Sequence, residues 1–423
     1  SRNALIERTL HPMTDPLHDF SAFPCIAGLL LFAMELNSNT SLLFRVREDS
    51  SPLLLLIGLS LIFFIRYAHL QFASDDLDWM RGNPPTVFDQ YRILPGLAFR
   101  ALHCLAGVNP PAVLGLIFLF HAANALLVYG LSRSLVDSKI AGRAAVAVFA
   151  INPITLTTLT WFSCFSYLMG TTFALSSLIA FIRSRHSARP WFWLWGSIGF
   201  YVMALLSSHE VFFLPVIACI LNWVWKPASW KYGLIYLAAS SCCAALVHNY
   251  VYHFGQYGMD EGRILDFGFV KAFVSSILSF PICLGLAFPL SFLMRTSDFL
   301  IICFGEPARW ALTLTVAFVG GMKLWSCRAP SRRLWIALTS ICMALIAPYI
   351  LRLYLMPEGV DYDPSYVLGG RIFYLAFVGI SLAWGAIVER VWSMTTLKRR
   401  RFFSAVCLVA FLHALLFLYA PAD

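Results

Sequence analysis

The sequence predicts an all-α fold, a polytopic bundle of membrane-spanning helices, and three observations lead to it. Hydrophobic residues make up 59% of the 423 and charged residues only 13%, a balance that leaves too little polar surface to cover a water-soluble domain. Apolar runs long enough to cross about 30 Å of hydrocarbon as helices recur from residue 52 to residue 421. These runs lack period-2 alternation, which argues against a membrane β-barrel and leaves helices to satisfy the backbone in lipid.

Taken in chain order, residues 1–51 form an N-terminal segment whose one apolar run, 24–36, is interrupted by Glu35 and followed by Asn37. An interfacial helix fits that run as well as a crossing does. The first 20 residues lack the apolar core of a cleavable signal. The spanning module is expected over 52–423. Arg45 and Arg47 precede its first span, 52–70, and the stretch "ASDDLDWM" follows, so the positive-inside rule puts Asp75, Asp76 and Asp78 outside the cytoplasm.

Spans 112–132, 144–159, 165–182, 191–207, 211–225 and 232–252 then alternate in direction. Their basic loops, carrying Arg133, Lys139 and Arg143, then Arg183, Arg185 and Arg189, then Lys226 and Lys231, fall on the inner side each time. The run 269–293 breaks this parity if it crosses, because span 307–324 has to end inside at Arg328, Arg332 and Arg333. Interrupted by Pro281 and Pro289, it reads as re-entrant or interfacial structure on the outer side. Spans 334–355, 372–391 and 402–419 complete about eleven crossings.

The formal charge of +9 sits mainly in short loops between apolar runs. That placement indicates membrane anchoring and no nucleic-acid partner. The 11 cysteines include the pair Cys242-Cys243 but no Cys-x-x-Cys and no histidines at ligand spacing, so they read as small apolar helix residues. No cofactor or metal is called for, and a divalent cation beside the aspartates stays open.

The longest polar-rich connections, 71–111, 254–268 and 356–370, all face the outer side, where chemistry needs irregular polar segments brought together. Acidic residues are scarce here, yet three fall within four positions after the first span. Adjacent carboxylates repel, which raises the pKa of one and suits Asp75 or Asp76 to act as a base, against the plain reading of a solvated loop. Asp78 reads as a helix-start or loop residue. "LSSHEVFFLP" sets His209 and Glu210 at an outer turn, where an ionisable pair is costly unless it faces a cavity or a partner. "LGGRIFYLAFVG" puts Arg371 after two glycines, a setting for bidentate capture of phosphate or for a headgroup contact. Tyr91, Arg92, Trp161 and Arg295 also fall at the outer ends, where interfacial anchoring is the ordinary role of such residues.

The order of motifs resembles the GT-C type of polytopic glycosyltransferase. An outer "DD" loop is followed by "YRILPGLAFRALHCLAGVNPPAV" and "LFHAANALLVYGLSRSL", then by "VFAINPITLTTLTWFSCFSYLMGTTFAL", "SSHEVFFLP" and "GGRIFYLAFVGISL". The middle stretches are similar to relatives of the protein O-mannosyltransferases, and the likeness runs over most of residues 52–391. The resemblance implies transfer of a sugar from a polyprenyl-phosphate donor to a protein or glycan hydroxyl, with inversion. Asp75 or Asp76 would match the loop carboxylate that deprotonates the acceptor. Arg371, with Arg295 or His209, would hold the donor phosphate, and Asp78, Tyr91, Arg92, Glu210 and Trp161 would contact substrate. The first motif is Asp-Asp where the family pattern has Asp-Glu, and Ile-Leu separates Tyr91-Arg92 from Pro95.

A compact membrane module of this kind is similar to bacterial enzymes that modify pilin or O-antigen, so the expected location is a bacterial inner membrane with a periplasmic site. The leading rival is a lipid flippase or transporter. Repeated halves and broken mid-span helices, which would favour a transporter, are not evident, and the charges gather at span ends.

Overall fold

A computed structural model describes residues 93–107, 109–151, 158–159, 162–225, 230–247 and 374–394, together with Gly58. All lie in the unit Ser51–Asp423. Among the described residues the chain is helical, with no strand. Its α-helices are α1 (Ile93–Ala106), α2 (Pro110–Val136), α3 (Lys139–Ile151), α4 (Phe165–Ser184), α5 (Pro190–Leu205), α6 (Leu214–Trp225), α7 (Trp230–Val247) and α8 (Ala376–Met394). Short 3-10 turns, Phe162–Cys164 and His209–Phe213, precede α4 and α6. Three helices, α2, α4 and α7, are long and apolar enough to cross a membrane, so the described part has the character of a helical membrane protein.

Local chemistry sets the helix ends. Gly107, at φ +63°, stops α1 in a conformation that glycine adopts without a Cβ clash. Asn109 then caps α2 by accepting a hydrogen bond from the Ala112 N–H at 3.3 Å, and Pro110 and Pro111 occupy positions whose amides have no helical partner. Asp137 takes the left-handed conformation at the end of α2, and its N–H donates to the Arg133 carbonyl at 2.9 Å. Ser138 starts α3 by accepting from the Ala141 N–H, while its own hydroxyl donates to Glu389 of α8.

The contacts fix the helix directions. His121 and Asn124 of α2 meet Leu168 of α4 and Tyr374 just ahead of α8, and further along the same helices Ser132 lies beside Gly385. Ser197 of α5 and Tyr236 of α7 both reach Ser177 in the middle of α4. Helices α2, α4 and α8 therefore run one way, joined by α6, which lines one apolar gap with them through Leu214, Ile217 and Leu221. Helices α3, α5 and α7 run the other way.

Small residues make these approaches close. A Cβ on Gly385 would lie 2.5 Å from the Ala141 carbonyl oxygen, and one on Gly142 would lie 2.7 Å from the Tyr129 ring. Such contacts let backbones approach where lipid offers no hydrophobic drive for association. Nine Lys and Arg fall among the described residues, namely Arg100, Arg133, Lys139, Arg143, Arg183, Arg185, Arg189, Lys231 and Arg390, and all but Arg100 gather where α2, α4 and α8 end.

Two differences from the sequence reading have physical causes. Helix α1 occupies part of the connection 71–111 that reads as irregular, because its 14 residues are too few to register as a span. Helix α3 starts at Lys139, ahead of the expected 144, because Ser138 supplies the cap.

Candidate functional site

The end of the bundle at which α4 and α8 begin carries the described part of the candidate site. Three of the sequence stretches that carry the family resemblance meet there through side chains on α2, α4 and the start of α8. Tyr374 and Asn124 are fully buried and His121 is 3% exposed. His121 Nδ1 lies 2.7 Å from the Tyr374 hydroxyl, and its Nε2 faces the Ala150 carbonyl of α3 at 3.4 Å. Asn124 Nδ2 donates to the Leu168 carbonyl at 2.9 Å and to the Tyr374 hydroxyl at 3.3 Å. Thr172 donates its hydroxyl hydrogen to Asn124 Oδ1 at 2.8 Å, with the Leu168 carbonyl a second acceptor at 2.9 Å.

Donor and acceptor chemistry gives this cluster one direction. A backbone carbonyl only accepts, so His121 carries its hydrogen on Nε2 and offers Nδ1 as an acceptor. Tyr374 then donates to Nδ1 and accepts from Asn124, whose Oδ1 accepts from Thr172. Phe149 stacks on the His121 ring with centroids 5.5 Å apart and meets Tyr374 edge-on at 5.3 Å. Removing one member would strand a buried donor or acceptor, at a cost of about 1–3 kcal/mol.

A second set of contacts joins the stretches around Arg92 and Glu210. The Leu94 N–H, two positions after Arg92, donates to the Leu206 carbonyl at the end of α5 at 3.2 Å. Ser208 opens the following 3-10 turn, its hydroxyl accepting from the Glu210 N–H at 3.4 Å. Gly170 of α4 admits this turn, since a Cβ there would lie 2.7 Å from Ser208 Cβ. Tyr201 fastens the far side by donating to the Phe212 carbonyl at 3.1 Å. Aromatic packing ties in the remaining element, with Phe165 at the start of α4 meeting Phe99 of α1 at 5.3 Å and Phe120 of α2 at 5.0 Å.

Of the residues singled out from sequence, Glu210 is described in full and is 3% exposed within the turn between α5 and α6. His209 begins that turn, and its side chain lies outside the described residues. Asp75, Asp76, Asp78, Tyr91, Arg92, Trp161, Arg295 and Arg371 lie outside the described residues. Sequence reasoning did not single out His121, Asn124, Thr172 or Tyr374. Their signal was available in part, because His and Asn three positions apart inside an apolar span are costly without a purpose.

Among the described residues no group of three or more His, Cys, Asp or Glu could hold a metal ion. The chain matches no protein-family model and no curated protein.

Proposed function

We propose that the protein is a membrane glycosyltransferase of the GT-C type, which moves a sugar from a polyprenyl-phosphate donor to a protein or glycan hydroxyl at the periplasmic face of a bacterial inner membrane. The observation that carries the reading is the meeting of motif stretches at one end of the bundle. The Leu94–Leu206 hydrogen bond links the segment after Tyr91-Arg92 to the segment before His209-Glu210. The His121–Tyr374 bond links "LFHAAN" to "GGRIFYL", in which Arg371 stands three residues before Tyr374.

The cations gathered at the opposite end support this orientation under the positive-inside rule. Helix α8 runs parallel to α2, so an even number of crossings separates α7 from α8. Spans at 307–324 and 334–355 with a re-entrant 269–293 agree with that parity, and about eleven crossings is the proposed total.

In the proposed reaction Asp75 or Asp76 takes the proton of the acceptor hydroxyl as its oxygen attacks the anomeric carbon. The bond from that carbon to the phosphate oxygen breaks, and polyprenyl phosphate leaves with the electron pair. Arg371, with Arg295 or His209, stabilises the charge that develops on the phosphate in an oxocarbenium-like transition state. Asp78, Tyr91, Arg92, Glu210 and Trp161 line the substrate side. One displacement inverts the anomeric centre.

The test is transfer of radiolabelled sugar from a panel of polyprenyl-phosphate sugars by reconstituted protein. Asp75→Asn or Asp76→Asn should lower turnover by about 100-fold or more, the scale of a lost general base, with donor binding retained. Full turnover by both single variants would remove these residues as the base. The flippase reading draws on the His121–Asn124 chain, since polar groups inside a span often mark a transport path. Lipid-linked sugar that changes leaflet uncleaved would establish that reading instead.

A further inference from the structure

Tyr374, just ahead of α8, is held from three other helices. His121 and Asn124 stand three positions apart on one face of α2, and both reach its hydroxyl, His121 through Nδ1 at 2.7 Å and Asn124 through Nδ2 at 3.3 Å. Asn124 is itself fixed by α4, where it meets the Leu168 carbonyl at 2.9 Å and the Thr172 hydroxyl at 2.8 Å. From α3, Phe149 meets the Tyr374 ring edge-on at 5.3 Å, and the Ala150 carbonyl faces His121 Nε2. A phenylalanine at 374 would fill the same space without polar partners, so packing alone does not account for a buried hydroxyl.

The donated and the accepted bond together fix the Tyr374 oxygen, and the enclosed ring passes that constraint to the backbone where α8 starts. The Val378 N–H donates to the Leu375 carbonyl at 3.1 Å, and the helix runs on from Ala376. Further along, a Cβ on Gly385 would lie 2.5 Å from the Ala141 carbonyl oxygen of α3. Helix α8 is therefore set against its neighbours at two points, and the Tyr374 hydroxyl is the one at its start.

Arg371 stands three residues ahead of that anchor. At full extension its Cα lies no farther than about 11 Å from the Tyr374 Cα, whatever path the intervening chain takes. Gly369 and Gly370 precede Arg371, and residues without a Cβ restrain the chain little from that side. The constraint on the arginine thus comes from Tyr374. A guanidinium that grips phosphate through two parallel hydrogen bonds depends on such a constraint, because the paired geometry fails with a small displacement.

We propose that His121 and Asn124 are positioning residues, which hold the Tyr374 hydroxyl and through it set the place of Arg371 against the donor phosphate. The proposal rests on the transferase reading and adds to it two residues of α2 that act through Tyr374.

Binding of polyprenyl phosphate and of polyprenol to the full chain in detergent micelles tests it, since the two ligands differ only in the phosphate. The native protein should prefer polyprenyl phosphate. Tyr374→Phe, which keeps the ring and removes the hydroxyl, should lower that preference about tenfold with polyprenol affinity unchanged. In the Arg371→Ala background the same change should shift the preference less than about twofold, because no guanidinium is left to position. His121→Leu should act as Tyr374→Phe does, whereas His121→Asn, which keeps an acceptor oxygen near the place of Nδ1, should retain the preference within about twofold. Should His121→Leu fail to fold, the Tyr374→Phe cycle carries the test. An unchanged preference in Tyr374→Phe, an equal shift in both backgrounds, or equal weakening of both ligands would overturn the proposal and leave the transferase reading standing. A native protein that binds the two ligands alike would overturn the proposal together with the assignment of Arg371 to the phosphate.

Discussion

Helices α4 and α7 are both long and apolar enough to cross a membrane, yet the most apolar stretch of α4 is 78% buried within the protein and that of α7 only 22%. Apolarity therefore does not tell a protein-facing span from a lipid-facing one, because lipid and protein interior are equally apolar. Small and polar residues make the distinction. In α4, Ser166, Gly170, Thr171, Ser177 and Ser184 are all buried. In α7 the buried residues form one stripe, Gly233, Tyr236, Ser240 and Ala244, and the large exposed Leu234 and Leu246 lie off it.

The same contrast appears where the two helices share a contact. Ser177 of α4 and Ser197 of α5 cross-bond, each hydroxyl reaching the other's backbone carbonyl, at 2.7 and 2.8 Å. With the Ser177 hydrogen so committed, Tyr236 of α7 donates its own to Ser177 at 2.8 Å. Helix α4 is thus bonded on several sides, and α7 is held through its single stripe.

Substitutions should break this comparison unequally. Gly170→Ala should have the largest effect, because its Cβ would meet Ser208 Cβ at 2.7 Å and the neighbouring turn has to move. A loss of about 1–3 kcal/mol is expected from overpacking, read by reversible unfolding in detergent micelles. Ser177→Ala removes the hydroxyl that serves both Ser197 and Tyr236 and should cost about 1–2 kcal/mol in the same measurement. Gly233→Ala should fall within about 0.5 kcal/mol of the native protein. Its Cβ would meet the end of the Asn222 side chain at 3.0 Å, a group able to give way, and alanine's helix preference offsets the crowding. Equal losses at Gly170 and Gly233 would contradict the contrast between an enclosed α4 and a largely exposed α7.

The fold was legible where length and apolarity speak, and the site only in outline. Spans expected at 112–132, 165–182 and 232–252 correspond to α2, α4 and α7, because about 20 apolar residues have few alternatives to a membrane helix. The turn holding Glu210 also falls between two helices as expected, marked by Ser208 and the charged pair itself. Helix α1 went unseen because its 14 residues are short and sit among polar neighbours. The joining of His121 to Tyr374 spans 253 positions, and a single chain's periodicity carries no information on which distant residues pair. The expected base and phosphate-binding residues, Asp75, Asp76 and Arg371, were legible as residue types at one side of a membrane, and they lie outside the described residues.

The most direct test of the central proposal is to follow a polyprenyl-phosphate sugar labelled in both sugar and phosphate, in proteoliposomes holding the purified chain and an acceptor. The account predicts acceptor-dependent separation of the two labels, with the sugar on the acceptor in inverted configuration and polyprenyl phosphate left in the membrane. Labels that stay together across the panel of donors, while the lipid-linked sugar changes leaflet, would contradict it.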